Sequence, residues 1–293
     1  MDLLLHLHTA IGGPRGRDGL AFAMRLHRRL IGCAAAFALM GSAAGAEIIT
    51  DARYTTPVER YGHFAAGRPH EYARLRAGTN TGRVLELELP ADEVFEDVAP
   101  RLIRLAADEP ESILAIVSQR AGGARLVLIG LGGEGLAISA QSAAIGTPMR
   151  WLNPVGVADL DGDGRAEIAA VITPHLNGTL KLYRREAERL VEIAALGGFS
   201  NHVYGTPELA LSLPLPIAGR MHLLVPDTAR LQLRVIALAG GRLVETGRCA
   251  VTAPITGPIR QVSPRAASVG TRTGPQVVLP GDCLGERRAP SRS

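Results

Sequence analysis

The stretch DLDGDGRAE at 159–167 sets carboxylates at Asp159, Asp161 and Asp163 and, four residues on, Glu167. Like charges at this spacing repel unless a cation neutralises them. Donors that are all oxygen suit a hard cation such as calcium better than a transition metal. With Asp159 as position 1, the acidic side chains fall at positions 1, 3, 5 and 9, and the Arg165 carbonyl is available at position 7. Gly162 and Gly164 let the backbone fold around an ion. The expectation is one calcium site held by Asp159, Asp161, Asp163, the Arg165 carbonyl and Glu167. A charged, solvated hairpin without metal is the alternative.

Helix–loop–helix calcium loops also begin D-x-D-x-D-G, but they need a glutamate at position twelve. Here position twelve is Ala170, and the flanks PVGVA and EIAAVIT read as strands. The loop therefore belongs to a β context.

Internal repeats supply that context. ILAIVS at 113–118, IAAVIT at 168–173, HLLVPD at 222–227 and QVVLPG at 276–281 recur at 54–55 residues. Each is a short apolar run with β-branched residues, the pattern of a buried strand. LVLIGL (126–131), LKLYRR (180–185) and LRVIAL (233–238) keep step, as do Pro100, Pro154, Pro207 and, less regularly, Pro258. Hairpin signals then lead into GLAISA, RLVEIAA and RLVETGRCAV. Four short strands per unit, all β, predict a β-propeller. The units are 57–99, 100–153, 154–206, 207–257 and a partial 258–293. EIITDAR at 47–53 is expected to supply the missing strand and close five blades. A β-sandwich is the alternative.

PVGVADLDGDGRAEIAAV resembles the FG-GAP/VCBS repeat of bacterial exported propellers and integrin α-subunit heads. The resemblance implies a calcium loop between the first and second strands of a blade. It covers one unit strongly. The equivalent segments AADEPE (106–111) and LPIAG (215–219) cannot ligate calcium in the same way, so one ion is expected. Its role is expected to be structural, fastening two strands.

A four-stranded meander puts the calcium loop at one end of its blade. The other end then collects Trp151, His175 and Asn177, Asn201, His202 and Tyr204, and His63 of the short unit. This face, with the only tryptophan, is a candidate binding site. The alternative is structural: Asn177-Gly178 as a hairpin turn, and histidines that cap backbone groups.

RLHRR at 25–29, the apolar run 30–46 and Ala44-Gly45-Ala46 have the form of a secretory signal peptide. An uncleaved anchor is the alternative. Residues 1–23 look redundant, which makes Met24 the better start. The remaining single domain, 47–293, carries 27 basic and 26 acidic side chains, with no basic stripe for nucleic acid. No membrane span is expected after cleavage. Cys249 and Cys283 are either a disulfide or two separate thiols.

The chain is therefore expected to be periplasmic or secreted. The leading reading is a monomeric, calcium-stabilised binding module for a protein or glycan, with no catalytic residues assigned. The alternative is a propeller-scaffold hydrolase or lyase acting on polysaccharide through the histidine face. Neither G-x-S-x-G nor H-E-x-x-H is present, and aromatics are only 4% of the chain, few for sugar platforms.

Overall fold

The computed structural model describes residues 46–285. The expected signal segment and Met24 lie outside them, apart from Ala46, as does the tail from 286. Among the described residues no helix is long and apolar enough to cross a membrane.

The described chain is all-β. Strands β1 (Ile49–Pro57), β2 (Tyr72–Thr79) and β3 (Val84–Glu88) form an antiparallel meander, followed by short β4 (Glu93–Phe95). Four-stranded antiparallel meanders follow. The first comprises β5 (Arg101–Ile103), β6 (Ser112–Gln119), β7 (Gly123–Leu131) and β8 (Leu136–Gln141). The second comprises β9 (Leu152–Ala158), β10 (Glu167–Ile172), β11 (Gly178–Glu186) and β12 (Arg189–Phe199). The third comprises β13 (Leu213–Ile217), β14 (Arg220–Pro226), β15 (Gln232–Ala239) and β16 (Arg242–Ala250). The last sheet has three strands, β17 (Ile255–Ser263), β18 (Ala266–Thr271) and β19 (Gly274–Val278).

Hydrogen bonding runs β1 to β12 into one twelve-stranded sheet. The joins between its meanders are narrow. One residue pair, Tyr72↔Phe95, links β2 to β4, and one parallel pair, Arg189↔Gln141, links β12 to β8. Side-chain packing marks the units more clearly. On β6, Leu114 and Ile116 enter one core cluster while Ile113, Ala115 and Val117 enter another. On β10, Ile168, Ala170 and Ile172 face the β6–β7 core, and Ala169 and Val171 face the β14–β15 core. On β14, Leu223 and Val225 pack one way and Leu224 the other. Alternate residues of a strand point to opposite faces. The continuous apolar runs thus belong to central strands buried on both sides, each meander covered by its neighbours in chain order.

Two expectations are corrected. EIITDAR does not complete the last sheet: β1 pairs with β2 from Ile49↔Thr79 to Pro57↔Tyr72, so the N-terminal strand belongs to the first meander. QVVLPG is not the second strand of its unit. Ala266–Thr271 takes that place and Gly274–Val278 follows as the third. The reason is loop length: β17 and β18 are separated by Pro264 and Arg265 alone, whereas residues 159–166 separate β9 from β10. A conserved spacing of apolar runs does not survive the loss of a loop between them.

Cys249 on β16 and Cys283 in the 3-10 turn η1 (Pro280–Cys283) are joined by a disulfide. It ties the turn after the last sheet back to β16, beside the bridge Gly247↔Leu284. Gly247 is needed there, since a Cβ would lie 2.8 Å from the Cys283 carbonyl carbon.

Candidate functional site

The acidic loop joins β9 to β10. Asp159 folds it: Oδ1 accepts from Gly162 N at 2.7 Å and Oδ2 from Gly164 N at 2.9 Å. Gly162 and Gly164 have φ of 84° and 86°, the left-handed region that a Cβ disfavours. Glu167 opens β10 with no exposed surface, and its Oε2 accepts from Leu160 N at 3.0 Å. One oxygen from each of Asp159, Asp161 and Glu167 lies within 4.8 Å of the others. These three oxygens, one on a fully buried carboxylate, fit a hard cation. Asp163 does not join that cluster; its Oδ1 accepts from Arg165 N at 2.8 Å.

Sequence reasoning missed Arg184. From β11 its guanidinium reaches Asp161 Oδ2 at 2.6 Å, contacts Glu167 Oε1 and lies 4.0 Å from Asp163 Oδ2. Hydrogen bonds to Glu167, then to Asp161, push its pKa further up. The positive charge that the carboxylates demand is thus met within the chain. A strand arginine among many carries no sequence signal of its own. Glu109 of AADEPE adds a second tie, pairing with Arg165 at 2.9 Å and Arg185 at 3.6 Å. The degenerate loop of the preceding meander holds the acidic one.

At other loops the structure brings together His63, Trp151, His175, His202 and Tyr204. Trp151 precedes β9, His175 sits between β10 and β11, His202 and Tyr204 follow β12, and His63 lies between β1 and β2. The Trp151 and His175 rings stack with planes 3° apart and centroids at 6.1 Å. Tyr204 meets His175 edge-on at 5.2 Å, and its hydroxyl donates to the His63 carbonyl at 2.8 Å. His63, Met149, Trp151, Thr173, His175 and Tyr204 are among the residues lining a cleft of about 180 Å³. Thr173, β-branched, holds φ at 50°, an outlier of the kind that clusters at ligand clamps.

Asn177 and Asn201 do not join the cleft. Asn177 has φ of 56° before Gly178, and its Oδ1 accepts from Thr228 Oγ1 at 2.7 Å. Asn201 is fully buried, exchanging side-chain to carbonyl bonds of 3.2 and 3.0 Å with Asn153.

Behind the cleft, Glu96 is fully buried. Its carbonyl accepts from Trp151 Nε1 at 2.8 Å, and its carboxylate accepts from Ala65 N and Ser118 Oγ. His63 Nδ1 approaches the same carboxylate at 2.8 Å but off the line of a hydrogen bond. His175 Nε2 lies 2.8 Å from His202 Nδ1, and His202 Nε2 lies 2.9 Å from the Thr206 carbonyl. Burial lowers the pKa of His175 to about 3, helped by the charges of His202, His63 and Arg230, and that of His202 to about 4.

Both histidines titrate near 6.5 once unfolded. Below that pH the unfolded chain binds protons that the folded chain refuses, so stability rises with pH across the window. Melting temperature is therefore expected to fall from pH 7 to pH 5, where carboxylates stay ionised. His222, also lowered by burial, adds to the slope. His175→Gln/His202→Gln should flatten the profile in differential scanning calorimetry. A pH-independent wild type between 7 and 5 refutes the neutral pair.

The chain matches no family model and no curated protein. Among solved structures, a provisionally assigned 6-phosphogluconolactonase from Bacteroides fragilis is similar at 13% identity with a TM-score of 0.39. The match covers 72% of this chain and 61% of that one, so the chain spans less than two thirds of that protein's length.

Proposed function

We propose that the chain is an exported, calcium-stabilised five-bladed β-propeller that binds a ring-sized unit of a protein or glycan ligand in the histidine–tryptophan cleft. Sequential stacking of five meanders supports the propeller, and the three converging carboxylates support the ion. The observation that carries the binding reading is the cleft itself. Its walls come from segments as distant as His63 and Tyr204, and they line an open cleft of about 180 Å³. That volume is near the roughly 150 Å³ of a cavity that holds benzene.

Trp151 is the only tryptophan in the chain and lines the cleft. Its emission reports occupancy directly. Titration with methyl glucopyranoside and with phenol should give a saturable change with at least one probe, weakened in His175→Ala. No change with either at 50-fold molar excess and millimolar concentration sinks the reading.

One observation favours the second reading, an acid–base enzyme. The His175–His202 contact places two neutral imidazoles, the side chain that most often serves as general base, within hydrogen-bond distance of each other at the cleft. Hydrolysis of nitrophenyl glycosides, lost in His175→Ala, would place the chain in that class.

A further inference from the structure

The hydrogen-bond chain behind the cleft fixes where its protons sit. A backbone carbonyl only accepts. His202 Nε2, 2.9 Å from the Thr206 carbonyl, must therefore carry the proton. A neutral imidazole has one N–H, so His202 Nδ1 is an acceptor. His175 Nε2, 2.8 Å from it, must then be the donor. That leaves His175 Nδ1 as the remaining acceptor of the ring, with no partner among the described residues. The Thr206 carbonyl is itself held in place. Thr206 N and Oγ1 both bond the Val203 carbonyl, at 3.2 and 2.7 Å, and Gly205 N bonds the Ala65 carbonyl at 2.8 Å.

We propose that His202, anchored on Thr206, is a positioning residue that locks His175 in its Nε2–H tautomer, so that the cleft offers a fixed acceptor and selects an aromatic ring bearing a hydroxyl. The inference rests on the cleft being a binding site. A phenolic ring is favoured over a pyranose by the walls. His175 and Tyr204 present aromatic surface backed by the buried Trp151, and Met149 and Leu176 add exposed apolar edges. A pyranose brings several hydroxyls, each costly to bury without a partner, to walls whose polar side chains are the His63 and His175 imidazoles, Thr173 and Arg150. A phenol brings one hydroxyl and a ring that the walls can cover.

The test uses the ¹⁵N-labelled chain with its disulfide intact. Long-range ¹H–¹⁵N spectra at pH 7 should show both His175 and His202 protonated at Nε2 and bare at Nδ1. An Nδ1–H form of His175 overturns the locking role, and this readout needs no variant. Titrations followed by Trp151 emission then compare phenol with anisole, which keeps the ring and loses the donor. Phenol is expected to bind several-fold, up to about tenfold, more tightly, the net effect of one hydrogen bond. In His202→Phe that ratio should fall to about one, and His175 should show both tautomers. His202→Gln, whose amide can donate to Thr206 and accept from His175, should restore both. Equal affinity for phenol and anisole in the wild type overturns the donor selection. A response to methyl glucopyranoside alone overturns the phenolic preference while keeping the cleft. Silence towards every probe overturns the binding reading itself, whatever the tautomers.

Discussion

Trp151→Ala is expected to destabilise the described domain by about 3–5 kcal/mol, the range for truncating a large buried aromatic. The side chain is 1% exposed and sits in the core shared by β6, β7, β9 and β10. Its loss leaves a cavity between two meanders and strips the Glu96 carbonyl of its 2.8 Å donor. Trp151→Phe separates the two effects. It keeps the six-membered ring and loses the donor together with the fused five-membered ring, so a smaller cost of about 1–3 kcal/mol is expected. The measurement is the urea midpoint by circular dichroism, with the slope checked for constancy. A cost below about 1 kcal/mol for Trp151→Ala, against that range, means Trp151 is not wedged between meanders, and the stacking order deduced from the core clusters is then wrong. The same side chain walls the cleft. Stability and ligand response should therefore fall together in the alanine variant, whereas His175→Ala should affect the response far more than the fold.

What was legible in the sequence follows from which interactions are local. ILAIVS, IAAVIT and HLLVPD announced central strands because burial on both faces leaves no polar alternation, and all three are β6, β10 and β14. The acidic loop was legible because its carboxylates lie within nine residues and fold on one another. Strand order also placed Trp151, His175, His202, Tyr204 and His63 on one face, and those five do meet. The misplaced features are those set by partners far away in sequence. Nothing in EIITDAR distinguishes a partner at Tyr72–Thr79 from one near the C-terminus, because an edge strand pairs through its backbone. Asn201 was placed in the site by its neighbours, yet its partner Asn153 is 48 residues away and draws it into the core. Glu96 behind Trp151 and Thr206 behind His202 were invisible for the same reason. Arg184 is the most consequential omission, since its guanidinium lies on two of the three clustered carboxylates.

That position leads to the second large effect. Arg184→Gln is expected to bind calcium at least about tenfold more tightly than the wild type. The guanidinium holds Asp161 and Glu167, two of the three carboxylates that an ion in this loop would use. In the wild type the ion must displace a resident cation, so its apparent affinity is reduced by the small fraction of molecules with the arginine out. The glutamine removes the competitor and leaves the carboxylates. Without calcium the same variant should be less stable than the wild type, because Glu167, with no exposed surface, loses its counter-charge. Saturating calcium should reverse that order of stability. At a hundredfold excess over Kd, binding adds about 2.7 kcal/mol, or roughly 5–10 °C in melting temperature for a domain of this size. Asp161→Ala is the opposite arm: it removes one ligand and one arginine partner, and should abolish the calcium response in both backgrounds. Calorimetric titration with paired melts decides between the outcomes. Equal calcium affinity in the wild type and Arg184→Gln means the arginine is not a competitor and the ion binds elsewhere on the loop. No binding to either means the three carboxylates are served by Arg184 alone, and the loop fastens β9 to β10 through an internal ion pair instead of a metal.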